Sequence, residues 1–248
     1  MEKGERRMNF WKLCLVVLGL TTIIGVGSAS AACTNANLTG IWGFQVGTAV
    51  GQFTGDGAGN LTGSQVVNQN GTILSQTFSG TYSVATNCTG SATFNISGGG
   101  TGSVNFVFDQ AKKGLQIIAT DTGGVAEGVA LVRGVVTCGL TGKKTIYAAE
   151  LLGKINGTGP IGYVFQAILD GKGGVSGTGT FDVNGAYSIG AISGTYTQNS
   201  DCTGTLQITT PQPIPDKLNF ATVVVNSGKE ILLLETDAAA AVAGNMQK

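Results

Sequence analysis

Among its 248 residues the chain has no histidine and only 4 prolines, and charged side chains make up 11%, against roughly a quarter in an ordinary soluble domain. Each shortage excludes something. Without histidine there is no His–Ser or His–Cys catalytic pair and no imidazole-ligated metal site. The formal net charge is zero and the pI is near 6.2, so the clustered Lys and Arg that phosphates require are missing and no nucleic-acid partner is expected. Proline is too scarce, and glycine too irregularly spaced, for a collagen helix. Apolar residues make up 42% and there are 41 glycines. That apolar content with so little charge argues against disorder.

The N-terminal residues read as an address. Lys3, Arg6, Arg7 and Lys12 precede an apolar run from Leu13 to about Val26, and the small residues Gly27 to Ala32 follow. A basic start, an apolar middle and a small-residue exit are the parts of a secretory signal peptide. The run is short for a membrane span, which needs about 20 apolar residues, so no stable span is expected after cleavage. We assign 1–31 to the signal peptide, with cleavage between Ser30 and Cys33. Its removal takes four basic and two acidic residues, leaving ten and twelve, a net charge of about −2. Between Cys33 and Phe108 the sole charged side chain is Asp56.

The remainder is one domain written twice. At an offset of 114, residues 56–90 match 170–204 at 13 of 35 positions. Ser79-Gly80-Thr81-Tyr82 returns as Ser193-Gly194-Thr195-Tyr196, and Cys88-Thr89-Gly90 as Cys202-Thr203-Gly204. Asn70-Gly71 returns as Asn184-Gly185, and Asn105-Phe106 as Asn219-Phe220. Leu38-Thr39-Gly40 matches Leu140-Thr141-Gly142 at 102, and Thr120-Asp121 matches Thr236-Asp237 at 116. The second copy therefore carries about twelve extra residues, expected within Leu151 to Pro160. The copies are placed at 32–134 and 135–248, each an ordinary domain size.

Four of the 5 cysteines survive cleavage, because Cys14 leaves with the apolar run. An even number in an exported chain suggests two disulfides in an oxidising compartment. Four cysteines allow three pairings, and the repeat selects Cys33–Cys88 with Cys138–Cys202, the same staple in each copy. The alternative is a lipid anchor on Cys33, since Ser30-Ala31-Ala32 has the small residues of a lipobox, though not its leucine.

Each copy reads as short strands joined by tight turns. Asn-Gly suits a two-residue type I′ hairpin, and Asp56-Gly57 and Asp170-Gly171 read as slightly longer turns. Strands centred on Trp42, Phe53, Val66, Phe78, Phe94, Phe106, Ile117 and Leu131 follow at spacings near twelve, the pattern of an antiparallel meander. The fold expected is all-β, two tandem eight-stranded up-and-down barrels, with a sandwich as the alternative. Ala238 to Ala243 is the sole helical candidate, yet it occupies the place of the first copy's last strand.

Residues that carry chemistry are few. Asp56 and Asp170 each bring one carboxylate where calcium takes six to eight oxygens, so turn residues are expected there rather than ligands. Asp121 and Asp237 end strands without a repeated acid–base partner. The cysteine spacing fits neither zinc nor redox chemistry, and no cofactor, metal or catalytic set is expected. Asn37, Asn60, Asn70, Asn87, Asn95 and Asn156 begin glycosylation sequons. Tyr82 and Tyr196, with Trp42, are the candidate ligand-contacting residues. A core tyrosine with its hydroxyl bonded near the barrel rim is the plainer reading of the first two.

The pattern of Asp-Gly, Asn-Gly and Ser-Gly-Thr-Tyr before Cys-Thr-Gly resembles exported Gly- and Thr-rich β-repeat proteins of environmental bacteria, a likeness that transfers no site residues. Leu38-Thr39-Gly40-Ile41-Trp42 resembles the opening strand of avidin-type barrels. Biotin pockets of that family use several tryptophans; the mature chain has Trp42 alone, with Lys144 expected at its place in the second copy, so biotin binding does not carry over. The function expected is that of a secreted or periplasmic, non-catalytic barrel protein that binds a small apolar ligand or a surface component. The alternatives are a self-associating envelope or matrix subunit, and a barrel-type cyclase or isomerase.

Overall fold

The computed structural model describes residues 32–69, 71–121, 125–134, 138–211, 217–238 and 240–248. The expected signal peptide lies outside these residues, as do 135–137 at the expected boundary and Asn70 of the first hairpin.

Both copies close into eight-stranded antiparallel barrels in meander order. The first consists of β1 (Gly40–Val46), β2 (Ala49–Gly55), β3 (Asn60–Gln69), β4 (Thr72–Val84), β5 (Thr89–Ile96), β6 (Thr101–Phe108), β7 (Gly114–Ala119) and β8 (Glu127–Val132). The second consists of β9 (Thr145–Ile155), β10 (Gly159–Leu169), β11 (Gly174–Val183), β12 (Ala186–Gln198), β13 (Thr203–Thr209), β14 (Lys217–Val225), β15 (Glu230–Glu235) and β16 (Ala240–Gln247). All eight strand centres read from the first copy fall in β1–β8. Closure joins β1 to β8, with Trp42 opposite Val132, and β9 to β16, with Gly153 opposite Val242. It removes the exposed edges that would invite aggregation and excludes the sandwich. Among the described residues no helix is long and apolar enough to cross a membrane.

Local sequence explains these elements. In β10 the residues Ile161, Tyr163, Phe165, Ala167 and Leu169 are buried while those between them are not, which is the period of two of a strand with one face inward. Asn184 and Gly185 have φ of 53° and 86° between the paired residues Val183 and Ala186, so both centres of that hairpin take the positive φ of a type I′ turn. Of the helical candidate Ala238 to Ala243, residue 239 lies outside the described residues and Ala240 to Ala243 belong to β16, the strand that closes the second barrel onto β9.

The disulfides form within the copies, Cys33–Cys88 and Cys138–Cys202, across sequence separations of 55 and 64. Closing loops of that length stabilises each fold by roughly 4 kcal/mol in the chain-entropy model. The Cys33 sulfur is thereby taken, which leaves no thiol for the alternative lipid anchor. Two such bonds are the chemistry of an oxidising, extracytoplasmic compartment.

Strand register corrects three alignments. Trp42 pairs with Phe53, and Tyr147 with Ala167, at matched distances from Asp56 and Asp170. Tyr147, not Lys144, is thus the counterpart of Trp42. The extra length is also smaller: the β9–β10 hairpin has nine more residues than β1–β2 and none is added before β9, since Tyr147 follows Cys138 at the same spacing as Trp42 follows Cys33, so the Leu-Thr-Gly match at 102 is out of position. Finally, Gly90 pairs with Phe106 and Gly204 with Thr222, so the offset is already 116 in β6. The repeated Asn-Phe therefore coincides in sequence but not in position.

A third apolar cluster joins the barrels. Val50 of β2 packs with Val223, Val225, Leu232 and Leu234 of β14 and β15. Gly43 in β1 makes this approach possible, because a Cβ there would lie 2.4 Å from Val225 Cγ1 and 2.7 Å from Val223 Cγ1. Polar contacts flank the cluster: Asn68 donates to the carbonyl of Ala240, and Arg133 Nη1 to the carbonyl of Asp201 at 3.0 Å.

Candidate functional site

The two barrels share a topology but differ inside. The first encloses a cavity of about 610 Å³ whose lining comes from strands β1 to β7 and the segments between them. The second is occupied by its own side chains, with Tyr147, Tyr163, Phe181, Leu151 and Ile208 each at 0% exposure.

Glycine opposite phenylalanine opens the first lumen. Phe78 pairs with Gly63 and Phe94 with Gly102. A Cβ on Gly63 would come within 2.4 Å of the Phe78 ring, and one on Gly102 within 2.3 Å of the Phe94 ring. Each ring therefore lies flat over the neighbouring strand instead of crossing the barrel. The rings also pack edge to face or tilted along the wall, Phe44 to Phe78 at 5.9 Å and Phe78 to Phe94 at 5.2 Å between centroids, arrangements that suit their quadrupoles. Where the first lumen has Val67, Val104 and Ala92, register puts Phe181, Phe220 and Leu206 in the second.

One end of the lumen is plugged. Residues Asn35–Leu38 form a 3-10 turn tied down by Cys33–Cys88, and Leu38, 2% exposed, sits at the cavity floor. The mouth lies at the other end, where Gln69, Thr101, Asp121 and Val125 contribute to the lining. Between mouth and aromatic floor, Gln65 Nε2 donates to Gln76 Oε1 at 3.0 Å. Asp121 is the sole charged residue among the described lining.

Of the three candidate ligand-contacting residues, Tyr82 lines the cavity. Its hydroxyl turns to the plugged end, accepting from the Gly57 N–H at 2.8 Å and donating to the Asn35 carbonyl at 3.1 Å. Burial raises its pKa, so the phenol stays neutral. Trp42 stands behind the lining, stacked on Phe53 with centroids 6.3 Å apart. Tyr196 occupies the corresponding place in the filled barrel, and its hydroxyl donates to the Leu140 carbonyl at 3.0 Å.

Asp56 and Asp170 serve their own turns, and Asp237 ties back to β14. Asp56 Oδ1 accepts from the backbone N–H groups of Ala58, Gly59 and Asn60, and Oδ2 from Asn60 Nδ2 at 2.6 Å. These bonds, the Asn60 side chain first, hold its carboxyl down at about 2. Asp170 Oδ1 accepts from the N–H groups of Lys172 and Gly174 in the same way. Asp237 accepts from the backbone and side-chain nitrogens of Asn219 at 2.7 and 2.6 Å.

Two features escaped the sequence reading. The Gln65–Gln76 pair is one. The other is Glu235, 2% exposed inside the second barrel. Burial first, and then the charge of Asp237, push its carboxyl up to about 8. The Tyr163 hydroxyl is close enough to feel this carboxyl but makes no hydrogen bond of good geometry with it. Comparing the copies position by position is the signal that finds both, since register pairs Glu235 with Ala119, and Gln65 and Gln76 with Gly179 and Gly190.

No protein family and no curated protein matches the chain. Among solved structures it is similar to the isotype 1 transferrin binding protein B from serogroup B Neisseria meningitidis, with a TM-score of 0.39 and 8% identity. The alignment covers 81% of this chain and 64% of that one, so the chain spans less than two thirds of that structure's length. Likeness at this level assigns neither family nor function.

Proposed function

We propose that this is an extracytoplasmic, non-catalytic binding protein, secreted or periplasmic, that holds a small apolar ligand in the lumen of its first barrel. The hollow first barrel beside a filled second one carries this reading. A cavity of about 610 Å³ falls in the usual range for small-molecule sites, roughly 300–1,000 Å³, and has their character of apolar walls with a few polar groups. In this role Tyr82 contributes ring surface near the floor and Trp42 supports Phe53 from behind. Tyr196 orders its turn and does not meet the ligand. The Glu235–Tyr163–Asp237 group does not favour catalysis, because it sits in a barrel interior filled by side chains, and general acid–base work needs a group within reach of substrate.

The test is to fill the first lumen with the second barrel's own residues. Val67→Phe with Val104→Phe should leave thermal unfolding cooperative and abolish saturable binding of a neutral fluorescent naphthylamine. The same change of Tyr196 to Phe should leave binding intact. Equal binding by the filled variant and the parent would refute a luminal site.

A further inference from the structure

Resting on that reading, we propose that the luminal guest is uncharged and ends in one hydrogen-bonding group, a hydroxyl or an amide, received by Gln65 and Gln76. The two side chains are register partners on β3 and β4 and both line the cavity. Their mutual bond uses one amide hydrogen of Gln65 and the oxygen of Gln76. By inventory this leaves the Gln65 oxygen as an acceptor and the Gln76 amide hydrogens as donors, side by side. A hydroxyl or amide both donates and accepts, so it satisfies the pair; an ether or an alkane leaves a polar group without exchange for the water it lost.

Charge is selected against on both signs. A carboxylate lowered to the glutamines would be desolvated with no cation among the described lining residues, and a buried charge without a partner is strongly disfavoured. Asp121 at the mouth adds repulsion. A cationic end finds its one counter-charge at Asp121, which would hold it at the rim and leave the glutamines unanswered. The second barrel supports the same conclusion by contrast. There the pair is replaced by Gly179 and Gly190, and the place of the Gln65 side chain is taken by Phe165, whose Cβ lies 2.4 Å from where a Cβ of Gly179 would stand. The polar pair exists where there is a lumen for it to face.

The experiment displaces N-phenylnaphthylamine from the full mature chain at neutral pH with octanol, octanoate, octylammonium and octane. Octanol should displace at concentrations about tenfold below either ion. Replacing both glutamines by leucine should bring octanol down to the level of octane by roughly three- to tenfold, the worth of about one hydrogen bond, and leave octane itself unchanged or improved. Gln76→Glu, which keeps the shape should the leucine pair not fold, should invert the preference towards octylammonium. Preference for octanoate or octylammonium in the parent, or octanol affinity indifferent to both sets of variants, overturns the inference while luminal binding stands. Failure of all four compounds to displace a naphthylamine that the filled variant cannot bind also overturns it. Absence of any saturable binding overturns the luminal reading and this inference together.

Discussion

Glu235 shows what a single side chain does inside a closed barrel. Its folded carboxyl titrates at about 8 instead of 4.5 because burial, helped by Asp237, penalises the charged form. Between those values the folded chain holds a proton that the unfolded chain has released. Stability from this group is therefore full below pH 4.5 and is lost as pH rises through about 8. The melting temperature should fall across that window and level off above it. Glu235→Gln, neutral at every pH, should flatten the slope; an unchanged profile would show that the carboxyl is solvated. Tyr82 illustrates the opposite case. It was legible as a repeated tyrosine ahead of a cysteine, and its hydroxyl does end in backbone bonds near the rim. Which way its ring faced was not legible, because alternation names a face only once register is known.

Strands and hairpins were the most legible elements. Asn-Gly and Asp-Gly mark turns by backbone preference alone, and the β-branched and aromatic runs between them suit a half-buried sheet. The lumen was less so, since it depends on pairs of residues in different strands. Gly63 under Phe78 and Gly102 under Phe94 are ordinary in sequence and decisive when opposed. The Lys144 alignment failed for a related reason: the short Leu-Thr-Gly match at 102 is out of position, whereas the first cysteines of the two copies already carry the offset of 105 that strand pairing gives. Gly102→Ala tests the opposed-pair argument. The three atoms nearest its Cβ would all belong to the Phe94 ring, a side chain that can swing inward, so the variant should fold, narrow the lumen and weaken binding of the neutral naphthylamine severalfold. Unaltered affinity would mean the ring has room elsewhere.

At the scale of the whole molecule, the barrels meet through unlike faces, β1 and β2 of the first against β14 and β15 of the second. Gly43→Val would drive a branched side chain into Val223 and Val225 and should cost about 1–3 kcal/mol, the usual penalty of overpacking, read as a lower denaturation midpoint or a split transition. A midpoint equal to the parent's would show the interface to be loose. The residues that make this interface are not repeated at the corresponding positions of the other copy. The first barrel's counterparts of Val225, Leu232 and Ala243 are Asp109, Gln116 and Glu127, and the second barrel's counterparts of Val66 and Leu131 are Thr180 and Gln247. The plug at Leu38 has a consequence of another kind. A tube stoppered at its base exchanges through a single doorway, so a guest of the proposed kind would enter tail first while the water it displaces leaves past it. Its residence time would then be set at the mouth, by Gln69, Thr101 and Asp121, however tightly the floor holds.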